Sequence, residues 1–242
     1  MSLSAIATAT NTADPVRRLV RWLVAIDLAL IVAYLVEEAS GQPIERLGQL
    51  LDVGDETSVA TWYSVVKLFA VAALALTLAA SRLRSDDPAP EWRDWLVAAL
   101  GLAILLISID EVTQIHEWIG VKSDALLEDG DRASSPLPET GLWTILVGIP
   151  AAIAFAAMLT LVRPRLNDRP GCYALIAGGM AVLLIGAVGF ESLANVFDDP
   201  DSVGFHINAA LEEGFEMLGA TAMGAGFLLL TRPTVSLDLG QR

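Results

Sequence analysis

Cysteine is all but missing from this chain of 242 residues, where Cys172 stands alone. A single thiol closes no intrachain disulfide, so the fold does not depend on an oxidising compartment. Histidine is equally scarce, at two residues, which excludes the many-histidine clusters of membrane desaturase-type sites. Basic residues number 15 against 29 acidic ones. No basic patch exists to neutralise phosphates, and nucleic acid is excluded as a partner. Chemical motifs are missing too. There is no G-x-S-x-G elbow and no phosphate-cradling loop. His116-Glu117 is not the metalloprotease pair, because Gly120 stands where the second histidine must be. No Glu-x-x-His occurs, so the di-iron helix-bundle spacing is absent.

What is present is apolar length. Hydrophobic residues make up 54% of the chain, and the mean hydropathy is +0.56, too high for an ordinary soluble domain. Apolar runs fall at about 19–39, 59–81, 94–118, 141–162, 172–197 and 207–231. A spanning helix needs roughly 20 such residues, so the pattern predicts an all-α, polytopic bundle of six transmembrane helices. It fills residues 1–242 as a single transmembrane domain. The first run is too long for a signal-peptide core and lacks a small-residue cleavage site, and reads as a retained anchor. Trp22, Trp92, Trp95 and Tyr173 flank one side, and Trp62, Tyr63, Trp118 and Trp143 the other, as interfacial aromatics do.

Orientation follows from the connections. One set holds Arg17, Arg18, Arg21, Arg82, Arg84, Arg93, Arg163, Arg165, Arg169, Arg232 and Arg242, and the other only Arg46, Lys122 and Arg132. The positive side faces the cytoplasm, which puts both termini inside and the protein in the cell (plasma or inner) membrane. The opposite loops are acidic, with Glu45, Asp52, Asp55, Glu56, Asp124, Glu128, Asp129, Asp131, Glu139, Asp198, Asp199 and Asp201. Much of the net charge of -14 is therefore a solvated outer face. Ile44, Leu47, Leu50 and Leu51, after Pro43, predict a short amphipathic helix on the membrane surface. The segment 119–140 reads as irregular, and its acidic run at 128–131 lacks the ligand ladder of a calcium loop. Small residues four apart (Ala174/Gly178, Ala220/Gly224, Ala222/Gly226) predict close approach of helices five and six. Pro150 predicts a kink in helix four.

The informative residues are ionisable ones inside the spans, which are expensive in hydrocarbon. Glu37, Glu38, Asp110, Glu111, Glu191, Glu212, Glu213, Glu216 and Lys67 all lie roughly 23–30 Å from the arginine boundary at 1.5 Å per residue. That is the outer third of a core about 30 Å thick. His116, Glu117 and His206 come just above, while Asp27 sits near the inner boundary as an interfacial or helix-pairing acid. Asp110, Thr113 and Glu117 fall on one stripe of helix three, Glu191 and Asn195 on one face of helix five, and Asn208, Glu212 and Glu216 on one face of helix six. Polar stripes on three helices should turn inward and meet. Helix four carries no charge and reads as peripheral.

Eight carboxylates within about a nanometre cannot all stay ionised in a weakly solvated site. Either several hold protons, or cations neutralise them. Carboxylates with imidazole suit a divalent metal ion of the Fe, Mn or Zn class. On that reading Asp110, Glu111, His116, Glu191, Glu212 and Glu216 are the metal ligands. Glu117 or Glu213 serves as proton acceptor, and Lys67 holds an anionic group or simply counters the acids. The implied activity is a metal-dependent enzyme acting on a membrane lipid or other hydrophobic small-molecule substrate. Two rival readings stand beside it. One is a transporter or channel for protons or metal cations, against which the acids stop in the outer third with Asp27 alone continuing inward. The other is a structural accessory subunit.

The run Ser-Ile-Asp-Glu-x4-His-Glu (108–117) and the run Glu-Glu-x2-Glu-Met-Leu-Gly-Ala (212–220) resemble motifs of an uncharacterised family of multi-pass bacterial membrane proteins. The resemblance covers two helices, about a tenth of the chain. It implies that the two motifs form one site and implies no activity.

Overall fold

The computed structural model describes residues 15–231 apart from 42, 56, 87–88, 128–129, 131 and 133–134. Arg232 and Arg242 of the orientation count therefore lie outside the described residues, as do Glu56 and the acids of the 128–131 run. The same holds for the side chain of Glu45. Among the described residues there is no strand.

The helices are α1 (Pro15–Ala39), α2 (Glu45–Leu51), α3 (Val59–Leu83), α4 (Trp92–Thr113), α5 (Ile115–Ser123), α6 (Thr144–Leu166), α7 (Cys172–Ala194) and α8 (Val203–Thr231). Six of them, all but α2 and α5, are long and apolar enough to cross a membrane. The surface amphipathic helix is α2, whose Ile44, Leu47 and Leu50 flank stays exposed.

Local chemistry sets the ends. Ser58 caps α3 by accepting the Thr61 amide at 3.1 Å, and Glu91 and Asp94 form a capping box at the start of α4. At the start of α7 the chain turns through Gly171 at φ +83, a conformation that glycine adopts without strain.

α8 is the hub. Half of its apolar window is buried, against 11% for α1, and it packs on α7, α1 and α3. α4 pairs with α3, and α6 leans on α4 and α7. The α7–α8 contact is very close. A Cβ on Gly179 would lie 2.6 Å from the Gly219 carbonyl oxygen, one on Gly219 the same distance from the Gly179 carbonyl, and one on Gly226 3.0 Å from the Cys172 carbonyl. A Cβ on Gly186 would meet the Glu212 carbonyl at 2.8 Å. These positions recur every seven residues along both helices and form one antiparallel seam, in which small residues let backbones touch. The expected approach is real, but Gly178 and Gly224 do not make it: a Cβ on Gly178 meets nothing within 4 Å.

The apolar core gathers toward the arginine-rich end. Leu68, Val97, Leu100, Ile104, Val162, Leu166, Ile176, Met180, Met223 and Phe227 are among its fully buried members. Toward the acidic end the interior turns polar. α1 is inverted relative to a helix of a soluble protein, since its buried residues are Val16, Asp27, Tyr34 and Glu37 while Trp22, Leu28, Val32 and Val36 are exposed. Lipid, rather than water, is the solvent that such a face suits.

Three elements depart from the sequence expectation. The third span does not continue to residue 118, because the helix breaks at Gln114, which sits at φ +52. The break is held by Asp110, whose Oδ1 accepts the His116 amide at 3.1 Å. Before Pro150, Thr144–Gly148 form a π turn: the proline has no N–H to offer the carbonyl one turn back, and the wider turn absorbs the defect. A second π turn, Ile185–Phe190, lies inside α7 just before Glu191.

Candidate functional site

At the acidic end, the break after α4 and the π turns of α6 and α7 deliver polar side chains to one region beside α8. His116 Nδ1 lies 2.7 Å from Asp110 Oδ2, and its ring stacks at 4.7 Å, tilted, on Trp143. Trp143 in turn donates its indole N–H to Glu191 Oε1 at 3.3 Å. Glu191 comes within side-chain hydrogen-bonding reach of Glu212 of α8, and Glu111 of α4 comes within reach of Glu216. Glu213 sits within electrostatic range of both Glu212 and Glu216. The glycine seam explains this register, because Glu212 occupies the next seven-residue step beyond Gly226 and Gly219. A Cβ on Gly186 would meet Glu216 Cγ at 2.8 Å, so only glycine there lets α7 close over the acid.

A hydrogen bond between two carboxyl groups exists only when one of them holds a proton, since ionised carboxylates are acceptors alone. His116 belongs to α5, beyond the span. Burial opposes its charged form, but the hydrogen bond to Asp110 and the charges of Asp110, Glu191 and Glu117 outweigh this and raise its pKa above the ordinary value.

Lys67 stands apart from this group. Its ammonium donates to Asp27 Oδ1 at 2.6 Å, the Met217 carbonyl at 2.7 Å and Thr221 Oγ1 at 3.1 Å, and lies 4.5 Å from the Tyr63 ring centroid. Thr221 donates to Asp27 Oδ2 at 2.9 Å. All three ammonium protons are thus used, and Asp27 is 1% exposed. Asp27 is a helix-pairing acid. It lies near the middle of α1, because the helix begins at Pro15 and Arg17, Arg18 and Arg21 ride on its first turns.

A third polar knot lies at the rim. His206 Nδ1 is 2.9 Å from the Tyr34 hydroxyl, and its Nε2 is 3.5 Å from Glu38. Asp52, in the connection after α2, has a raised pKa because burial, Glu38 and Asp55 together outweigh the Gly54 amide and His206.

The expected site residues therefore divide. Asp110, Glu111, His116, Glu191, Glu212, Glu213 and Glu216 come together. Glu117 does not join them, and with Thr113 it is exposed: the stripe of 110, 113 and 117 assumes an unbroken helix, and the turn at Gln114 rotates its last member outward. Asn195 also leaves the group, to accept the Glu139 amide at 2.9 Å and donate to Thr140 at 3.1 Å. Trp143 carries more than an interfacial role: it is 8% exposed, while Trp22, Trp62, Trp92, Trp95 and Trp118 are all at least 54% exposed. Uncharged helix four thus contributes a side chain to the site, a role its sequence gave no sign of beyond one aromatic at the span edge.

Among the described residues, no group of three or more His, Cys, Asp or Glu side chains is arranged to hold a metal ion. The six expected ligands are engaged pairwise instead: Asp110 with His116, Glu191 with Glu212, and Glu111 with Glu216.

A family model described as a domain of unknown function (DUF8692) matches residues 22–231. No curated protein and no solved structure matches the chain.

Proposed function

This chain belongs to the DUF8692 family, and we propose that it is a proton transporter or channel of the membrane, in which the carboxyl groups at the acidic end take up and release protons. The supporting observation is the pairing of Glu111 with Glu216 and of Glu191 with Glu212, acid to acid across three helices. Lys67, which lies inside a span, is committed to Asp27 and does not neutralise them. Protons must then do so.

The route has an entrance and a continuation. Asp110 and His116 are partly exposed, with side chains at 31% and 23%, and hand on through Glu191 to Glu212 and Glu216. Asn208, Glu212 and Glu216 follow at four-residue steps along α8, and Met217, the residue after Glu216, offers the carbonyl that holds Lys67. With the arginine-rich end in the cytoplasm, protons enter from outside the cell membrane.

The test is proton uptake by proteoliposomes carrying an internal pH-sensitive dye under an imposed pH gradient. Glu216→Gln keeps the shape and a hydrogen bond to Glu111 but fixes the site in a neutral form. Uptake is expected to fall at least about tenfold, the scale of losing a committed proton-transfer group. Equal rates in the native protein, the variant and empty liposomes would overturn the proposal.

A second reading keeps the metal-dependent enzyme. It is favoured by an apolar groove of about 500 Å³ between α3 and α4, lined by Val65, Phe69, Leu105, Ile109, Val112 and Thr113, near the Asp110 turn. A hydrophobic substrate would lie there, with Glu213 as proton acceptor. It requires the paired acids to part and regroup around an ion. Stoichiometric iron, manganese or zinc in purified protein, lost on Glu212→Ala/Glu216→Ala, would favour it over transport.

A further inference from the structure

At the opposite end of the bundle, α6 and α7 are joined by a short turn but do not close on each other. Between them runs a groove of about 280 Å³. Its walls carry four alanines, Ala152, Ala156, Ala177 and Ala181, over the buried Leu159 and Met180, with Tyr173 and Leu184 at its ends. The Thr160 hydroxyl in its wall is satisfied locally, donating to the Ala156 carbonyl at 2.8 Å. From Tyr173 to Leu184 a helix rises about 17 Å, roughly half of a hydrocarbon core about 30 Å thick. The groove is one leaflet deep.

A cation marks its mouth. The Arg163 guanidinium lies 5.4 Å from the Tyr173 ring centroid. Three arginines of the same end are paired with acids, Arg82 with Asp168, Arg93 with Glu91, and Arg165 with Asp94 and Glu91, and Arg169 donates to the Leu229 carbonyl at 2.7 Å. Among the described residues Arg163 makes no ion pair, and it is exposed. An unpaired guanidinium stacked on a tyrosine, at the headgroup end of a groove one acyl chain long, is complementary to a lipid with a negative head.

We infer that the α6–α7 groove binds an anionic phospholipid of the leaflet on the arginine-rich side, one acyl chain between the alanine-lined walls and the phosphate against Arg163. Ala-to-bulky change fills the groove, and loss of Arg163 removes only the charge preference. The two parts of the site are therefore separable.

The experiment is native mass spectrometry of the delipidated, purified full chain, titrated with phosphatidylglycerol or phosphatidylcholine of matched chain length. Phosphatidylglycerol is expected to be retained about fivefold better, the value of roughly one basic residue near an anionic head. Arg163→Gln, a change at an exposed side chain, is expected to abolish that preference and leave phosphatidylcholine retention unchanged. Ala177→Phe is expected to lower retention of both lipids. Equal retention of the two lipids by the native protein would overturn the inference. So would a preference that survives both substitutions, or displacement of the lipid by millimolar inorganic phosphate, which would mark a free-anion site instead.

Discussion

One turn of α8 separates two ways of burying charge. Around Thr221, Asp27 and Lys67 form a pair in which each ammonium proton has an acceptor and one carboxylate meets one cation. Around Glu212 and Glu216, acids from α4, α7 and α8 face one another with His116 as the nearest basic group. The first arrangement is complete and neutral, and nothing is gained by moving a proton through it unaided. The second has no such cation: on the proposed reading it holds together by sharing protons, and its state then follows the proton supply. Stability belongs to the first and responsiveness to the second.

The sharpest way to break this contrast is to unbalance the neutral pair. Lys67→Met leaves Asp27 buried without its cation and is expected to cost about 3–5 kcal/mol. Asp27→Leu added to Lys67→Met is expected to recover most of it, because the desolvation penalty leaves with the charge. Unfolding of the purified protein in mixed micelles checks both. Glu216→Gln, by contrast, is expected to leave stability within about 1 kcal/mol, since one of the paired acids must be neutral already. A loss as large as that of Lys67→Met would erase the difference between the two regions.

An intermediate effect is expected along the seam. Gly219→Ala sets a methyl 2.6 Å from the Gly179 carbonyl and the Leu183 amide nitrogen, atoms that move only with their helix. A destabilisation of about 1–3 kcal/mol follows. The widened seam should impair proton uptake more than it disturbs Asp27 and Lys67, which contact other faces of α8. The smallest effect concerns His116. Its raised pKa means that the protonated form stabilises the fold. That contribution is full below the unfolded value of about 6.5 and fades as pH rises through the folded value. The stability advantage of the native protein over His116→Gln is therefore expected at acidic pH and should vanish on going alkaline. An advantage that grows with pH would contradict the sign.

Much of this was legible from composition and spacing. The six runs, the surface helix after Pro43 and the convergence of Asp110, Glu111, Glu191, Glu212 and Glu216 follow from hydrophobic length and from the expense of facing acids to lipid. The reach of helix three was not, because Gln114 is an ordinary helix residue. Only the Asp110 carboxylate, folding back onto the His116 amide, decides against helix there. Partner choice was not legible either. Lys67 lies at the depth of the outer acids by residue count, yet bonds to Asp27, because Arg21 lies inside the helix and Asp27 therefore stands at the middle of α1. Trp143 has the same sequence context as the exposed tryptophans, and only the loop held by Asn195 turns it inward.

The sequence by itself determined that this is a bundle of apolar helices with an excess of acid toward one end, since length, hydropathy and charge are properties of single segments in a given solvent. Only the tertiary structure decided which acids face one another, which acid Lys67 is spent on and where two helices leave a groove. Those outcomes depend on distances between helices, and distances of a few ångströms are fixed by glycines, π turns and one left-handed residue whose effect is felt only once the helices are packed.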